Sequence, residues 1–168
     1  LSRFMETNDS PTLYIVATPI GNMEDITLRA IRTLSDVDVL ACEDTRFTRR
    51  IFERHNIPNP KTFFSYHEHN EMIAGKRIIS FLESGQSVAL CSDSGYPGIS
   101  DPGYRIISEC RDKGFPVEVI PGPSAVTVAL VASGLSTSSY TFKGFPPRKS
   151  GARRQFLAME QDLPHTLV

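Results

Sequence analysis

The residues of this chain best able to do chemistry are carboxylates set among glycines and prolines. Asp93 and Asp101 fall in residues 91–103, which read C-S-D-S-G-Y-P-G-I-S-D-P-G. Glu43 and Asp44 stand in C-E-D-T-R at 42–46, directly after an apolar run. An ionised carboxylate is a pure acceptor and can take a proton from a reacting group. Glycines at 95, 98 and 103 permit positive φ and let another molecule approach the backbone closely. Pro97 and Pro102 stiffen the loop, and each removes one backbone donor. Two further bends have a similar make-up, T-P-I-G-N at 18–22 and P-G-P-S at 121–124. Each acidic residue also has a structural alternative. Asp93 and Asp101 can cap their loop or the next helix, and Glu43 with Asp44 can form an acid pair at a helix N-terminus. His67 and His69 look like half a metal site, but no third ligand has suitable spacing, so no metal is expected.

Such bends need elements to hold them. Apolar runs at 12–17, 37–41, 62–66, 88–91 and 117–120 predict strands. Between them, helical spacing predicts helices at 26–34 (capped by Asp25), 46–54, 71–83 (capped by Asn70) and 104–113. This alternation predicts a mostly parallel sheet covered by helices on both faces. The carboxyl ends of parallel strands share one edge, so the bends at 18–22, 91–103 and 121–124 can converge on a single crevice. No G-x-G-x-x-G follows the first strand and no P-loop motif occurs, which argues against ordinary dinucleotide or nucleoside triphosphate sites. Pro121-Gly122-Pro123 reads as a hinge. Beyond it the pattern predicts a helix at 125–133 with Ser124 as N-cap, and a strand at 140–145. A basic loop at 144–151, a helix near 153–161 and the beginning of a strand at 165–168 follow.

The expected organisation is therefore an N-terminal tail (1–11), an α/β domain (12–120) and the start of a second α/β domain (121–168). The last is too short for a core of its own, so the chain reads as truncated. With 40% apolar and 22% charged residues the composition is that of a globular protein. No run approaches the roughly 18 apolar residues of a membrane span, and no membrane partner is expected. Three cysteines without a C-x-x-C pair favour free thiols in a reducing compartment, hence the cytoplasm. Net charge is −1, so any nucleic-acid surface must be local. Two clusters stand out: Arg46, Arg49, Arg50 and Arg54 in one predicted helix, and Arg148, Lys149, Arg153 and Arg154 around the late basic loop. Each suits a phosphate backbone; taken singly each reads first as a solvated helix face, and the two together favour RNA if both flank the cleft.

The motifs also occur together in one known order. T-P-I-G-N-M-E-D-I-T-L-R-A (18–30), C-E-D-T-R (42–46), the 91–103 loop, V-I-P-G-P-S-A-V (119–126) and G-F-P-P-R-K-S-G (144–151) resemble the ribosomal RNA small subunit methyltransferase I group of the tetrapyrrole methylase superfamily. The resemblance runs from Thr12 to the end of the chain, and Tyr96 departs from it by standing where small residues are usual. It implies an S-adenosylmethionine-dependent enzyme that methylates the ribose 2′-hydroxyl of a cytidine in small-subunit ribosomal RNA. It also implies two α/β domains with the cofactor in the cleft between them, and a homodimer. Carried onto this sequence, it makes Pro19, Asp93, Gly95, Ile99, Ser124 and Ala125 cofactor-lining. Arg46, Arg49, Arg50, Arg148, Lys149 and Arg153 become RNA-binding. Methyl transfer from a sulfonium is an in-line displacement, in which positioning supplies much of the acceleration. A base would help the weakly acidic hydroxyl lose its proton. Glu43, Asp44, Asp101, His67 and Lys149 are conceivable, with Glu43 and Asp44 preferred for their place at a strand end. Two alternatives remain: a methylase of small tetrapyrrole-type substrates, and a fragment that binds the cofactor without turnover.

Overall fold

The computed structural model describes residues 10–159 and 162–168. The first nine residues of the expected tail, and Glu160 and Gln161 at the end of an expected helix, lie outside the described residues. The chain divides into two compact units, Leu1–Pro123 and Ser124–Val168.

In the first unit, five strands form one parallel sheet: β1 (Leu13–Val16), β2 (Val39–Cys42), β3 (Thr62–Ser65), β4 (Val88–Cys91) and β5 (Val117–Ile120). Their order is β3-β2-β4-β1-β5. The connecting helices are α1 (Leu28–Asp36), α2 (Thr45–Arg54), α3 (Glu71–Glu83) and α4 (Tyr104–Asp112). Strand side chains alternate between faces. Leu13, Ile15, Ala41 and Leu90 pack with Ile78 and Leu82 of α3 and Ile106 of α4. Val16, Leu40, Cys42 and Cys91 pack on the other face with Leu34 of α1 and Ile51 and Phe52 of α2. Burying one such aliphatic side chain is worth about 1.5–3 kcal/mol, so both faces contribute to stability.

Strand order explains which helix covers which face. The chain steps outward from β1 to β2 to β3 through α1 and α2, then returns to β4 and passes to β5 through α3 and α4. Right-handed crossovers place outward and returning helices on opposite faces. The chains leaving β1 and β4, which are neighbours, must therefore diverge to opposite faces and open a crevice between them. The register is also flush. Ser65, Cys42, Cys91, Val16 and Ile120, the last residues of their strands, lie in one row across the sheet.

Several boundaries differ from expectation for local reasons. The first helix starts at Leu28 behind Thr27, whose hydroxyl accepts from the Ala30 amide, and not behind Asp25. Residues 22–25 are spent on a turn instead: Asn22 accepts the Glu24 amide through its side chain and the Asp25 amide through its carbonyl. Asn70 precedes α3 without capping it. Its amide turns back to accept from the His67 amide and donate to the Ser65 carbonyl.

The second unit holds α5 (Ala125–Ala132), β6 (Tyr140–Thr141), α6 (Ser150–Ala158) and β7 (Thr166–Leu167). β6 and β7 pair in parallel. The strand expected at 140–145 is only two residues long. Its ladder ends where Gly144 enters the left-handed region at φ 71° and two prolines follow. Ser124 takes the N-cap position of α5, but its side chain makes no capping bond. Lys143 donates to the Phe156 carbonyl at 2.6 Å with its ammonium 4.2 Å from that ring's centre, tying the segment after β6 to α6. Among the described residues no helix is long and apolar enough to cross a membrane.

Candidate active site at the carboxyl edge of the sheet

The three bends that follow Ala17, Cys91 and Ile120 meet at this edge. Thr18 and Gly95 exchange a pair of backbone hydrogen bonds, each 3.0 Å, which clasps the loop after β1 to the loop after β4. The Thr18 hydroxyl adds a 3.0 Å bond to the Ser92 carbonyl. The loop after β5 is held from the other direction. Tyr96 accepts the Gly122 amide at 2.9 Å, and its hydroxyl lies 3.3 Å from the Gly122 carbonyl oxygen. A Cβ at Gly95 would have Ile20 at 3.6 Å and the Pro123 carbonyl at 3.7 Å, so all three loops lie within a side chain's reach of this glycine. Two glycines are required by geometry. Gly122 passes so close to Ala17 that a Cβ would sit 2.9 Å from the alanine methyl. Gly103 has φ 148°, and a Cβ there would lie 2.9 Å from the Gly98 nitrogen.

The carboxylates expected to do chemistry are brought together on the neighbouring strands. The Asp44 amide donates to the Asp93 carboxylate at 3.0 Å, and the Asp93 amide donates to Glu43 at 3.4 Å. This lacing joins the ends of β2 and β4. Asp101 closes the group from the far end of the 91–103 loop, within hydrogen-bonding reach of Ser92. Burial holds the Asp93 carboxyl above the ordinary carboxylate range; the Asp44 amide partly offsets this, and the charges of Glu43 and Asp44 raise it further. Asp101 is raised for the same first reason, offset by Ser92 and raised again by Asp93. Asp44 behaves in the opposite way. Its side chain caps α2 through the Arg46 amide and pairs with the Arg46 guanidinium at 2.8 Å, which pulls its pKa down to about 2. The helix-cap alternative is therefore the role its geometry gives Asp44, and at neutral pH it is a weak proton acceptor.

The remaining expected site residues fall as follows. Pro19 is buried beneath the clasp, whereas Ile99 is 53% exposed on the rim. Ser124 and Ala125 open α5, in the second unit, directly after Pro123 in the chain. Arg46, Arg49 and Arg50 lie on the solvent side of α2, and Arg49 sits with its guanidinium 4.8 Å from the Phe63 ring centre. Arg148, Lys149 and Arg153 are exposed around the start of α6, again in the second unit. Tyr96 was not anticipated as a site residue. Its signal was its oddity, a large polar aromatic in a loop otherwise built of small residues, and its hydroxyl proves to hold the Gly122 loop.

The rim can receive a ligand of mixed polarity. Backbone groups beside glycines suit polar edges, and Ile99 offers apolar contact. Mutually repelling carboxylates, two of them resisting ionisation, favour a ligand that brings positive charge. Comparisons with known proteins agree with the geometry. Residues 12–168 match the model of the tetrapyrrole (corrin/porphyrin) methylases. Ribosomal RNA small subunit methyltransferase I of Mesorhizobium japonicum is 51% identical over 158 residues, covering 94% of this chain and 53% of that protein. The enzyme of the same name from Halalkalibacterium halodurans is 47% identical over 165 residues, covering 98% and 56%. The chain thus spans about half the length of the curated relatives it matches. Uroporphyrin III C-methyl transferase from Thermus thermophilus shares the fold at TM-score 0.56 and 22% identity, over 78% of this chain and 58% of its own. With a flush parallel sheet, three clasped loops and this sequence match, the chain belongs to the tetrapyrrole (corrin/porphyrin) methylase family and is similar, within it, to the enzymes named ribosomal RNA small subunit methyltransferase I.

Proposed function

We propose that this chain carries the methyl-donor site of an S-adenosylmethionine-dependent enzyme that methylates the ribose 2′-hydroxyl of a cytidine in small-subunit ribosomal RNA. The observation that carries this reading is the clasp of three separate loops around Gly95 at the point where the strand order reverses. The names of the relatives supply the RNA substrate. When bound, the donor supplies an electrophilic methyl group. The chain's own residues orient and desolvate. Gly95, Gly122 and Pro19 shape the backbone wall, Ile99 covers an apolar surface, and the acidic rim favours the donor's positive charges. Asp93 and Asp101 suit proton removal from a hydroxyl better than Asp44, because their carboxyls are held above the usual range while Asp44 is held below it. Ser124 and Ala125, with the cations of α2 and α6, complete the set of residues assigned to donor and RNA. The protein works in the cytoplasm, as a homodimer.

The test is calorimetry with S-adenosylmethionine, followed by transfer of labelled methyl to small-subunit RNA with mapping of the modified atom. Donor binding and a 2′-O-methylated cytidine are expected. A label on a base would overturn the 2′-hydroxyl as acceptor, and transfer only to a porphyrinoid would overturn the RNA reading. A second reading is donor binding without turnover. Binding with no labelled RNA would select it.

A further inference from the structure

We propose that the groove at the carboxyl end of α2 receives an unpaired base of the RNA, delivered along the arginines of that helix. The inference rests on the RNA reading above and adds a second contact, away from the reacting atoms. The groove has a volume of about 380 Å³ and is lined by Arg49, Phe52, Glu53, Asn56, Ile57 and Asn59 among others. It lies beside β3, an edge strand.

Three observations favour a base. The first is a stacking surface. Phe63 holds the Arg49 guanidinium over one face of its ring, and Phe52 braces Phe63 edge-on at 5.9 Å. Arg49 is exposed and lines the groove, and unpaired RNA bases stack on guanidinium planes as well as on aromatic rings. The second is a pair of amides. Asn56, two residues past the end of α2, adopts the left-handed region at φ 52°; its amide bonds the Glu53 carbonyl, and the next amide, of Ile57, bonds the Phe52 carbonyl at 2.8 Å. The side-chain amides of Asn56 and Asn59 make no hydrogen bond among the described residues. Each offers the adjacent donor and acceptor that match the edge of a base.

The third observation is charge. Arg46, Arg50 and Arg54 recur at one-turn spacing on the exposed side of α2, with Arg49 beside them. Arg46 and Arg54 are paired with Asp44 and Glu24, but these contacts are solvent-exposed and weak enough to yield to phosphate. α2 begins at the carboxyl edge of the sheet and ends at the groove. At about 1.5 Å per residue, Arg46 to Arg54 spans about 12 Å. At about 3.4 Å per stacked nucleotide that is some three or four nucleotides. The base held in the groove is thus a near neighbour of the methylated nucleotide, not that nucleotide itself.

Two variants test this without disturbing the fold. Arg49→Lys keeps the charge and loses the plane. Asn56→Gly keeps the left-handed turn and loses the amide. Binding of a fluorescent unpaired oligoribonucleotide and of a duplex of equal length is measured across a salt series, with donor binding and thermal melting alongside. Each variant is expected to weaken the unpaired oligonucleotide roughly fivefold or more, the scale of one lost stacking or base-edge contact. The salt slope, duplex affinity, donor binding and melting should be unchanged. Wild-type affinity for the unpaired strand in both variants would overturn the groove. So would an equal loss for the duplex, because the contact would then be charge alone. Wild-type protein that binds donor and methylates RNA while the variants behave identically removes only the groove. Wild-type protein that binds no RNA removes the RNA reading and the groove together.

Discussion

The loop rim and the arginine face of α2 lie on the same unit and are held in opposite ways. At the rim, position is enforced by backbone. Reciprocal amide–carbonyl bonds join Thr18 to Gly95, Tyr96 holds Gly122, and two glycines sit where a single methyl group would collide with main-chain atoms or a buried methyl. On α2, four arginines stand out from a helix whose opposite side is anchored by Thr48, Ile51 and Phe52; exposed ion pairs steady Arg46 and Arg54, and the Phe63 ring steadies Arg49. The rim is suited to one ligand in one pose, as in-line displacement demands. The helix face is suited to a flexible polyanion, for which many near-equivalent contacts suffice.

This contrast can be broken in a graded series. The largest effect is expected from Gly103→Ala, which puts a Cβ 2.9 Å from the Gly98 nitrogen in a φ 148° conformation. A loss on the order of 3 kcal/mol in urea unfolding is expected, along with loss of donor binding. A variant as stable as wild type would mean the rim is not held by its backbone. Next comes the double change Arg49→Ala with Arg50→Ala. It should leave stability almost untouched. RNA binding should weaken, and the log–log salt slope should fall by about 0.7 for each cation removed. If the protein unfolds more readily instead, the two regions are not as different as their contacts indicate.

Tyr96→Phe is smaller again. It strands the Gly122 amide and should cost about 1 kcal/mol, with a measurable weakening of donor affinity in the calorimeter. The smallest effect concerns pH. Asp93 has a raised folded-state pKa, so the folded protein holds its proton more tightly than the unfolded chain does. Stability therefore falls as pH rises from the ordinary carboxylate value through the raised one. Asp93→Asn removes that contribution and is expected to be slightly more stable than wild type at neutral pH, while binding the donor less well. Asp44 has the reverse sign. Its lowered pKa contributes stability above the ordinary carboxylate range, and this is lost as pH falls toward about 2. A urea series across acidic pH separates the two carboxylates. Identical profiles for wild type and Asp93→Asn would deny that the Asp93 carboxyl is held above the ordinary range.

How much of this was legible follows the range of the forces involved. β4 and β5 run over the residues their apolar patterns marked, because glycine and proline punctuate both ends. The three loops were visible as bends for the same reason. Their neighbours were not, because the order β3-β2-β4-β1-β5 is decided by contacts between residues distant in sequence, and the register of each pair by those same contacts. Hence the Thr18–Gly95 clasp had no signature in the letters, and Tyr96 stood out only as an unusual residue, with nothing to name Gly122 as its partner. The acid pair at 43–44 carried two readings, and only the position of Arg46 beside the cap favoured the structural one for Asp44. The short strand at Tyr140–Thr141 was overestimated because aromatic residues continue to Phe145 after the backbone has already turned at Gly144.

The flush row of strand ends sets a rule for how this architecture can be altered. One residue added inside β1, β4 or β5 would raise its bend by about 3.3 Å above its neighbours and move its side chains to the opposite packed face, misaligning the clasps which that bend makes. Length added beyond the row disturbs neither. Substrate preference can therefore drift through the size and chemistry of the loop tips while the wall behind them keeps its height.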